Sequence, residues 1–230
     1  MKRILQEMTN RAINLNQENI LMLCEKNVEA KILDLGCDDG VWTKCVSNKI
    51  GSKDIFGIDV EVENLLKAKK RGIKTVKSDL NSKFPFKDSS FDVIHANQVI
   101  EHISSLDNFI SEIHRVLKSG GYVVISTENG SSWHNIFASI MGWQIFSLTN
   151  VSSKKLGVGN PISLHGGENI SNASWTHKTI FNYLGLKEIF LAHGFSDVII
   201  TGAGYYPFPA ILGRFDVRHS HFITLKAYKK

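Results

Sequence analysis

Six residues in the stretch Lys31-Ile-Leu-Asp-Leu-Gly-Cys-Asp-Asp-Gly40 have the types and spacing to hold a ligand: Asp34, Gly36, Cys37, Asp38, Asp39 and Gly40. The apolar run Ile32, Leu33 and Leu35 ends in Gly36, and Gly40 precedes a helical pattern opening at Val41. This predicts a buried parallel strand, a tight turn and a helix N-terminus. Glycines there permit φ > 0 and close approach of a ligand. A dinucleotide fingerprint needs G-x-G-x-x-G, and Asp38 and Val41 occupy its second and third glycine positions. Asp34, Asp38 and Asp39 would also repel a pyrophosphate and favour a cationic ligand. Cys37 reads as a small side chain fitting the turn.

A second acid, Asp59, ends the strand pattern Asp54–Asp59, where it is placed to accept hydrogen bonds from both hydroxyls of a ribose. It can also cap the helix that follows from Val60 onward. For moving a proton, histidine is the natural side chain. His102, in Ile100-Glu101-His102-Ile103, stands first as a catalytic base beside the cleft, ahead of His134 and His165. His95 reads as a packed strand residue and His114 as part of an amphipathic helix. No spacing marks a metal site.

The loop resembles the first motif, D-x-G-x-G-x-G, of the class I S-adenosylmethionine (SAM)-dependent methyltransferases, type 11-like group. Asp34, Gly36 and Gly40 match, and Asp38 stands where the middle glycine would be. Phe84-Pro-Phe-Lys-Asp-Ser-Ser-Phe-Asp92 and Arg115-Val-Leu-Lys-Ser-Gly-Gly121 resemble later motifs of the same group, so the resemblance spans Lys31 to Asn129. It implies SAM as cofactor and S-adenosylhomocysteine (SAH) as product. The ribose would lie on Asp59 beside Val60, the adenine at Asp79-Leu80, and the methionine part near Asn97 and the loop residues Asp34, Gly36, Cys37, Asp38 and Gly40. The implied fold is a Rossmann-like three-layer α/β sandwich. Its seven-stranded sheet is mostly parallel, with an antiparallel edge pair and an insertion after the fifth strand.

The elements that must position these groups follow in order. Residues 1–30 show helical spacing and predict two helices. Residues 31–129 form the cofactor-binding half, with strands at Lys31–Leu35, Asp54–Asp59, Ile73–Lys77, Phe91–Asn97 and Tyr122–Thr127. Val99–His102 and Leu106–Lys118 predict helical segments, with Asp107 as N-cap and Gly120 as stop. Residues 130–176 form the insertion. Within it a short helix begins after Ser132, with Trp133, Ile136, Phe137, Ile140 and Met141 as its apolar positions. Three of the four tryptophans, Trp133, Trp143 and Trp175, fall there among Gly, Ser and Asn, as in a lid over a ring-bearing or sugar-like acceptor. Trp133, His134 and Trp143 are the substrate-binding candidates. Residues 177–230 supply a last helix and the edge strands, and the region Ser174 to Lys230 resembles, more weakly, that of methyltransferases of surface-glycan biosynthesis.

Composition bounds the rest. At 230 residues, 43% hydrophobic and 21% charged, the chain reads as one domain. A net charge of +5, dispersed along the chain, makes nucleic acid an unfavoured partner. Three cysteines without C-x-x-C spacing read as reduced thiols of a cytoplasmic protein, and no run predicts a membrane span. Three functions stand: a methyltransferase acting on a small-molecule acceptor, which leads; one acting on RNA or protein; and a SAM- or nucleotide-binding protein without catalysis.

Overall fold

The computed structural model describes residues 2–164, 166 and 175–230; His165 lies outside them. Seven strands form one sheet: β1 Lys31–Leu35, β2 Asp54–Asp59, β3 Lys74–Lys77, β4 Phe91–Asn97, β5 Leu117–Glu128, β6 Phe195–Ala203 and β7 Phe222–Lys229. Their order is β3-β2-β1-β4-β5-β7-β6. The first five pair in parallel, and β7 runs antiparallel to both β5 and β6. The mostly parallel sheet and its antiparallel edge are therefore as the sequence implied.

Alternation along the strands builds the layers, because successive side chains point to opposite faces. Ile94, Ala96, Val123, Ile125, Ile223 and Leu225 pack with Phe109, Ile110, Ile113, Leu186 and Phe190 on one face. These five belong to α4 Leu106–Val116 and α6 Tyr183–Ala192. Val93, Tyr122 and Val124 face the other way, onto Ile20 of α1 Lys2–Leu23 and Val46 and Ile50 of α2 Val41–Ile50. Under β2, Cys37 and Ile55 meet Leu65 and Ala68 of α3 Val62–Lys70.

Several expectations need correction. The N-terminal segment is one helix, α1, of 22 residues, not two. Asn16 and Asn19 lie on its buried side. The Asn16 side-chain oxygen accepts from Ser126 Oγ at 2.9 Å and Thr224 Oγ1 at 2.8 Å, and Asn19 Nδ2 donates to the Gly202 carbonyl at 2.9 Å. Polar anchors thus hold the helix across the ends of β5, β6 and β7. Val99–His102 contributes only a 3-10 turn, Ile100–His102, and α4 is preceded by Ser105 as N-cap rather than Asp107. α4 stops at Val116 and β5 begins at once, so Gly120 (φ 77°) sits inside the β5 span and ends no helix. The Phe84–Asp92 motif is structural: Arg115 donates to the carbonyls of Phe84 and Phe86 and to Asp88 and Glu112, binding that loop to α4. Among the described residues no helix is long and apolar enough to cross a membrane.

Candidate active site

The loop after β1 closes as the glycines require. Gly36 (φ 70°) and Gly40 (φ 82°) lie in the left-handed region. A Cβ on Gly36 would meet Val99 Cγ2 at 2.6 Å, and one on Gly40 would meet Ile73 Cδ1 at 2.5 Å. Packing of the loop on its own neighbours therefore demands both glycines, beyond any need of a ligand. Asp38 also takes a left-handed conformation, with φ 47°. An aspartate tolerates this better than most residues, which explains how it replaces the motif glycine.

The carboxylates divide by role. Asp34 is buried; it accepts from Thr43 Oγ1 at 2.5 Å and pairs with His95 Nδ1 at 2.6 Å. It braces the loop from below and does not face a ligand, which corrects its assignment. Asp39 pairs with Arg71 at 3.3 Å and accepts from the Val41 N–H. The local negative charge is therefore smaller than three free aspartates would give. Cys37 is likewise turned inward: burial pushes its thiol pKa up, its backbone N–H donates to the Ile58 carbonyl of β2, and its carbonyl accepts from the Gly40 N–H. Asp38 remains exposed, with its side chain hydrogen-bonded to Asn64.

Asp59 joins the pieces. One carboxylate oxygen accepts from the Asp38 N–H and the other from the Glu61 N–H, each at 2.9 Å. The cap reading needs correction: α3 spans Val62–Lys70 with Glu61 as N-cap and no side-chain cap bond, so Asp59 braces the turn that leads into the helix, and each of its oxygens retains a second lone pair. Val60 is exposed beside it. Asp79 is exposed and folds its carboxylate onto the Asn81 N–H at 2.9 Å, while Leu80 is buried. At the end of β4, Asn97 Oδ1 receives Asn16 Nδ2 at 3.5 Å. Gln98 follows directly after the strand. It holds φ 55°, and its buried Nε2 has no partner among the described residues. Such strain beside an unpaired buried donor is a pattern found at ligand sites. Asp38→Gly should relieve strain of about 1 kcal/mol, partly offset by loss of the Asn64 bond. SAH affinity within a few-fold of wild type, read by calorimetry, is the expected outcome.

Further along the same sheet edge lies a cavity of about 750 Å³. Leu5 and Thr9 of α1, Trp133, Phe137 and Phe146 of the insertion, and Tyr206 and Phe208 from the β6–β7 connection line it. The polar groups set in this mostly apolar wall include Glu128, His134, Tyr206 and His221. Glu128 Oε2 and His134 Nδ1 are buried and unpaired among the described residues. His221 Nδ1 lies 3.1 Å from Tyr206 Oη, which donates to Thr9 Oγ1 at 3.1 Å. Burial pushes the His134 pKa down to about 3 and that of His221 well below its usual value. Both rings are therefore neutral at pH 7.

The insertion forms part of this cavity by an unexpected route. α5 Trp133–Ile140 is anchored by a polar residue: buried Asn135 donates to the Asn129 carbonyl at 3.0 Å and to Ser147 Oγ at 2.9 Å. Its apolar positions face outward, with Phe137 48% and Ile140 78% exposed. Trp133 lines the cavity, stacks on His219 at 4.6 Å and donates to Tyr205 Oη at 2.7 Å. Trp143, assigned to the substrate, does not line the cavity; it packs edge-on against Phe137 at 5.8 Å. His102 also lies elsewhere. Its Nδ1 meets the Thr176 carbonyl at 3.2 Å, its ring touches His177, and burial lowers its pKa to about 4. It is not placed to serve as a base in the cavity.

Glu128, His221 and Tyr206 were missed by sequence reasoning. Glu128 ends β5 opposite Phe222, so the strand register that brings His221 beside it is the signal. Tyr206 lies in an irregular connection and gives none.

An open α/β sheet with a glycine turn, an acid ending β2 and an aromatic cavity along its carboxyl edge defines a class of enzymes that bind a ribose-bearing ligand beside a second reactant. Residues 33–125 match the family described as methyltransferase domain. A demethylmenaquinone methyltransferase of Staphylococcus epidermidis is 26% identical over 181 residues, covering 74% of this chain and 70% of that protein. A ubiquinone biosynthesis O-methyltransferase of Pelagibacter ubique is 33% identical over 119 residues, covering 50% of this chain and 48% of its own length. A solved SAM-dependent methyltransferase from Thermotoga maritima, a possible histamine N-methyltransferase, matches at TM-score 0.64 over 100% of this chain and 97% of that one. At 16% identity that likeness shows the fold alone. These matches support a class I SAM-dependent methyltransferase enzyme that uses SAM as its cofactor. Its residues fit that group: Asp59 offers lone pairs to hydroxyls at the β2 end, and the Gln98 amide is an unpaired donor at the β4 end.

Proposed function

We propose that this enzyme methylates a hydroxyl of an apolar, ring-bearing small molecule held in the aromatic cavity. The single observation that carries this reading is the cavity itself, whose wall is largely apolar and whose buried Glu128 and His134 have unpaired polar atoms. A sugar-like acceptor, suggested by the weak C-terminal resemblance, would leave many hydroxyls unpaired against such a wall. Relatives named for demethylmenaquinone and ubiquinone biosynthesis favour the apolar acceptor. Dispersed charge favours neither an RNA nor an acidic partner. The free cysteines suit a cytoplasmic setting.

SAM, when bound, would supply a methyl group on a positively charged sulfur, with SAH as the product. Asp59 would hold the ribose, Asp79-Leu80 would flank the adenine, and Asn97 and Gln98 would meet the methionine part. The aromatic wall excludes water and sets the acceptor in line, which can contribute roughly 7–11 kcal/mol. Neutral His134 orients the acceptor hydroxyl by a hydrogen bond, and the Glu128 carboxylate takes its proton. A ring whose pKa lies near 3 is a poor proton acceptor at pH 7, so the two roles fall this way.

The test is an acceptor panel with methyl-labelled SAM. Phenols and hydroxylated quinones should be labelled, and sugars and RNA should not. Labelling of sugars or RNA alone would overturn the reading.

Burial of His134 has a consequence for stability. Its folded pKa of about 3 lies below the usual unfolded value near 6.5. Between these values the unfolded chain binds a proton that the folded chain does not. The stabilisation is therefore complete above pH 6.5 and declines on acidification, by up to about 1.4 kcal/mol per pH unit. Thermal melts of His134→Gln should lose less Tm than wild type between pH 7 and pH 5.

A further inference from the structure

Glu101, His102 and His177 come together where the segment returning from the insertion crosses the turn after β4. One ligand atom from each lies within 4.8 Å of the others. Sequence reasoning saw no metal constellation because His177 lies 75 positions beyond His102 and only the fold joins them. We propose that these three side chains form a binding site for a divalent transition metal of the zinc type. Metal binding there would clamp the insertion to the cofactor-binding half.

The hydrogen bonds already in place prepare the donors. His102 Nδ1 lies 3.2 Å from the Thr176 carbonyl, and His177 Nδ1 lies 2.6 Å from the Ser147 carbonyl. A carbonyl only accepts, so both rings carry their proton on Nδ1 and leave the Nε2 lone pair for a metal. An imidazole N–H fixed by a backbone carbonyl is the usual outer support of a metal-bound histidine. Glu101 supplies the second, independent observation. It is 0% exposed, its Oε2 accepts from Thr127 Oγ1 at 2.9 Å, and its Oε1 is buried with no partner among the described residues. A buried carboxylate oxygen without a donor is costly, and a cation beside two imidazoles satisfies it.

The donor set selects the metal. Two imidazoles and one carboxylate suit zinc, cobalt, nickel or iron, whereas magnesium and calcium take oxygen ligands. Lys178 is the opposing charge nearby; its Nζ is tied to Thr176 Oγ1 at 2.5 Å. The backbone N–H groups of Lys178 and Thr179 both donate to the Glu101 carbonyl, at 2.7 and 3.2 Å. The return segment is thus already seated on the turn, and the metal would complete the joint. This proposal is independent of the acceptor assignment, since none of the three residues lines the cavity.

Chelator-treated full-length protein is titrated with Co2+, followed by visible absorption, and with Zn2+ by competition; Tm is read in parallel. Expected are one saturable equivalent per chain, displacement of Co2+ by Zn2+, and a rise in Tm. His177→Ala and His177→Gln should each lower Co2+ affinity by about 100-fold or more, while the SAH titration confirms that both variants remain folded. No saturable binding by wild type overturns the site. So does affinity unchanged in both variants, or displacement of Co2+ by magnesium at equal concentration.

Discussion

Replacing Glu128 by glutamine should lower acceptor turnover by about 10²–10⁴-fold, the usual contribution of a positioned proton acceptor. The change is isosteric, and the lost charge sits on an oxygen with no partner among the described residues, so folding and SAH affinity should stay near wild type. Turnover is read with methyl-labelled SAM on an acceptor identified by the panel. A raised reaction pH should restore part of the rate, because a more ionised acceptor needs no base. Unchanged turnover in Glu128→Gln would remove the carboxylate from the chemistry. Loss of SAH affinity in step with turnover would place it on the cofactor instead.

Asp59→Ala should show the second large effect, on binding rather than rate. The carboxylate accepts the Asp38 and Glu61 backbone N–H groups and is proposed to accept two ribose hydroxyls. Hydrogen bonds to a charged acceptor contribute about 1.5–3 kcal/mol each, so loss of the ribose pair should weaken SAH by more than about 100-fold. Some fall in Tm is also expected, since the loop after β1 and the start of α3 lose an acceptor they share. Asp59→Asn keeps one oxygen and should lie between. SAH affinity within about threefold of wild type in Asp59→Ala would leave this residue only its role in bracing the turns at Asp38 and Glu61.

Local features were legible in the sequence and long-range ones were not. Strand, glycine turn and helix follow one another between Lys31 and Ile50, so their pattern reads directly, as does Asp59 at the end of β2. The role of Asp34 was misread because its partners, Thr43 and His95, arrive from the next helix and from a strand 61 positions away. The continuity of α1 was not legible because its buried positions Asn16 and Asn19 are polar, and the groups that bond them, Ser126, Thr224 and Gly202, lie more than 100 positions away. The cavity draws on α1, the insertion and the β6–β7 connection, and no periodicity links those three. Trp143 and His102 have the right residue types for a site, yet composition gives no direction to a side chain. Trp143 supports Phe137, and His102 faces His177.

The most direct measurement is a calorimetric titration of the wild-type chain with SAH, run beside an identical titration with NADH. A SAM-dependent methyltransferase should bind SAH at one site per chain and show no saturable heat with NADH. Saturable binding of NADH with no binding of SAH would contradict the account at its base.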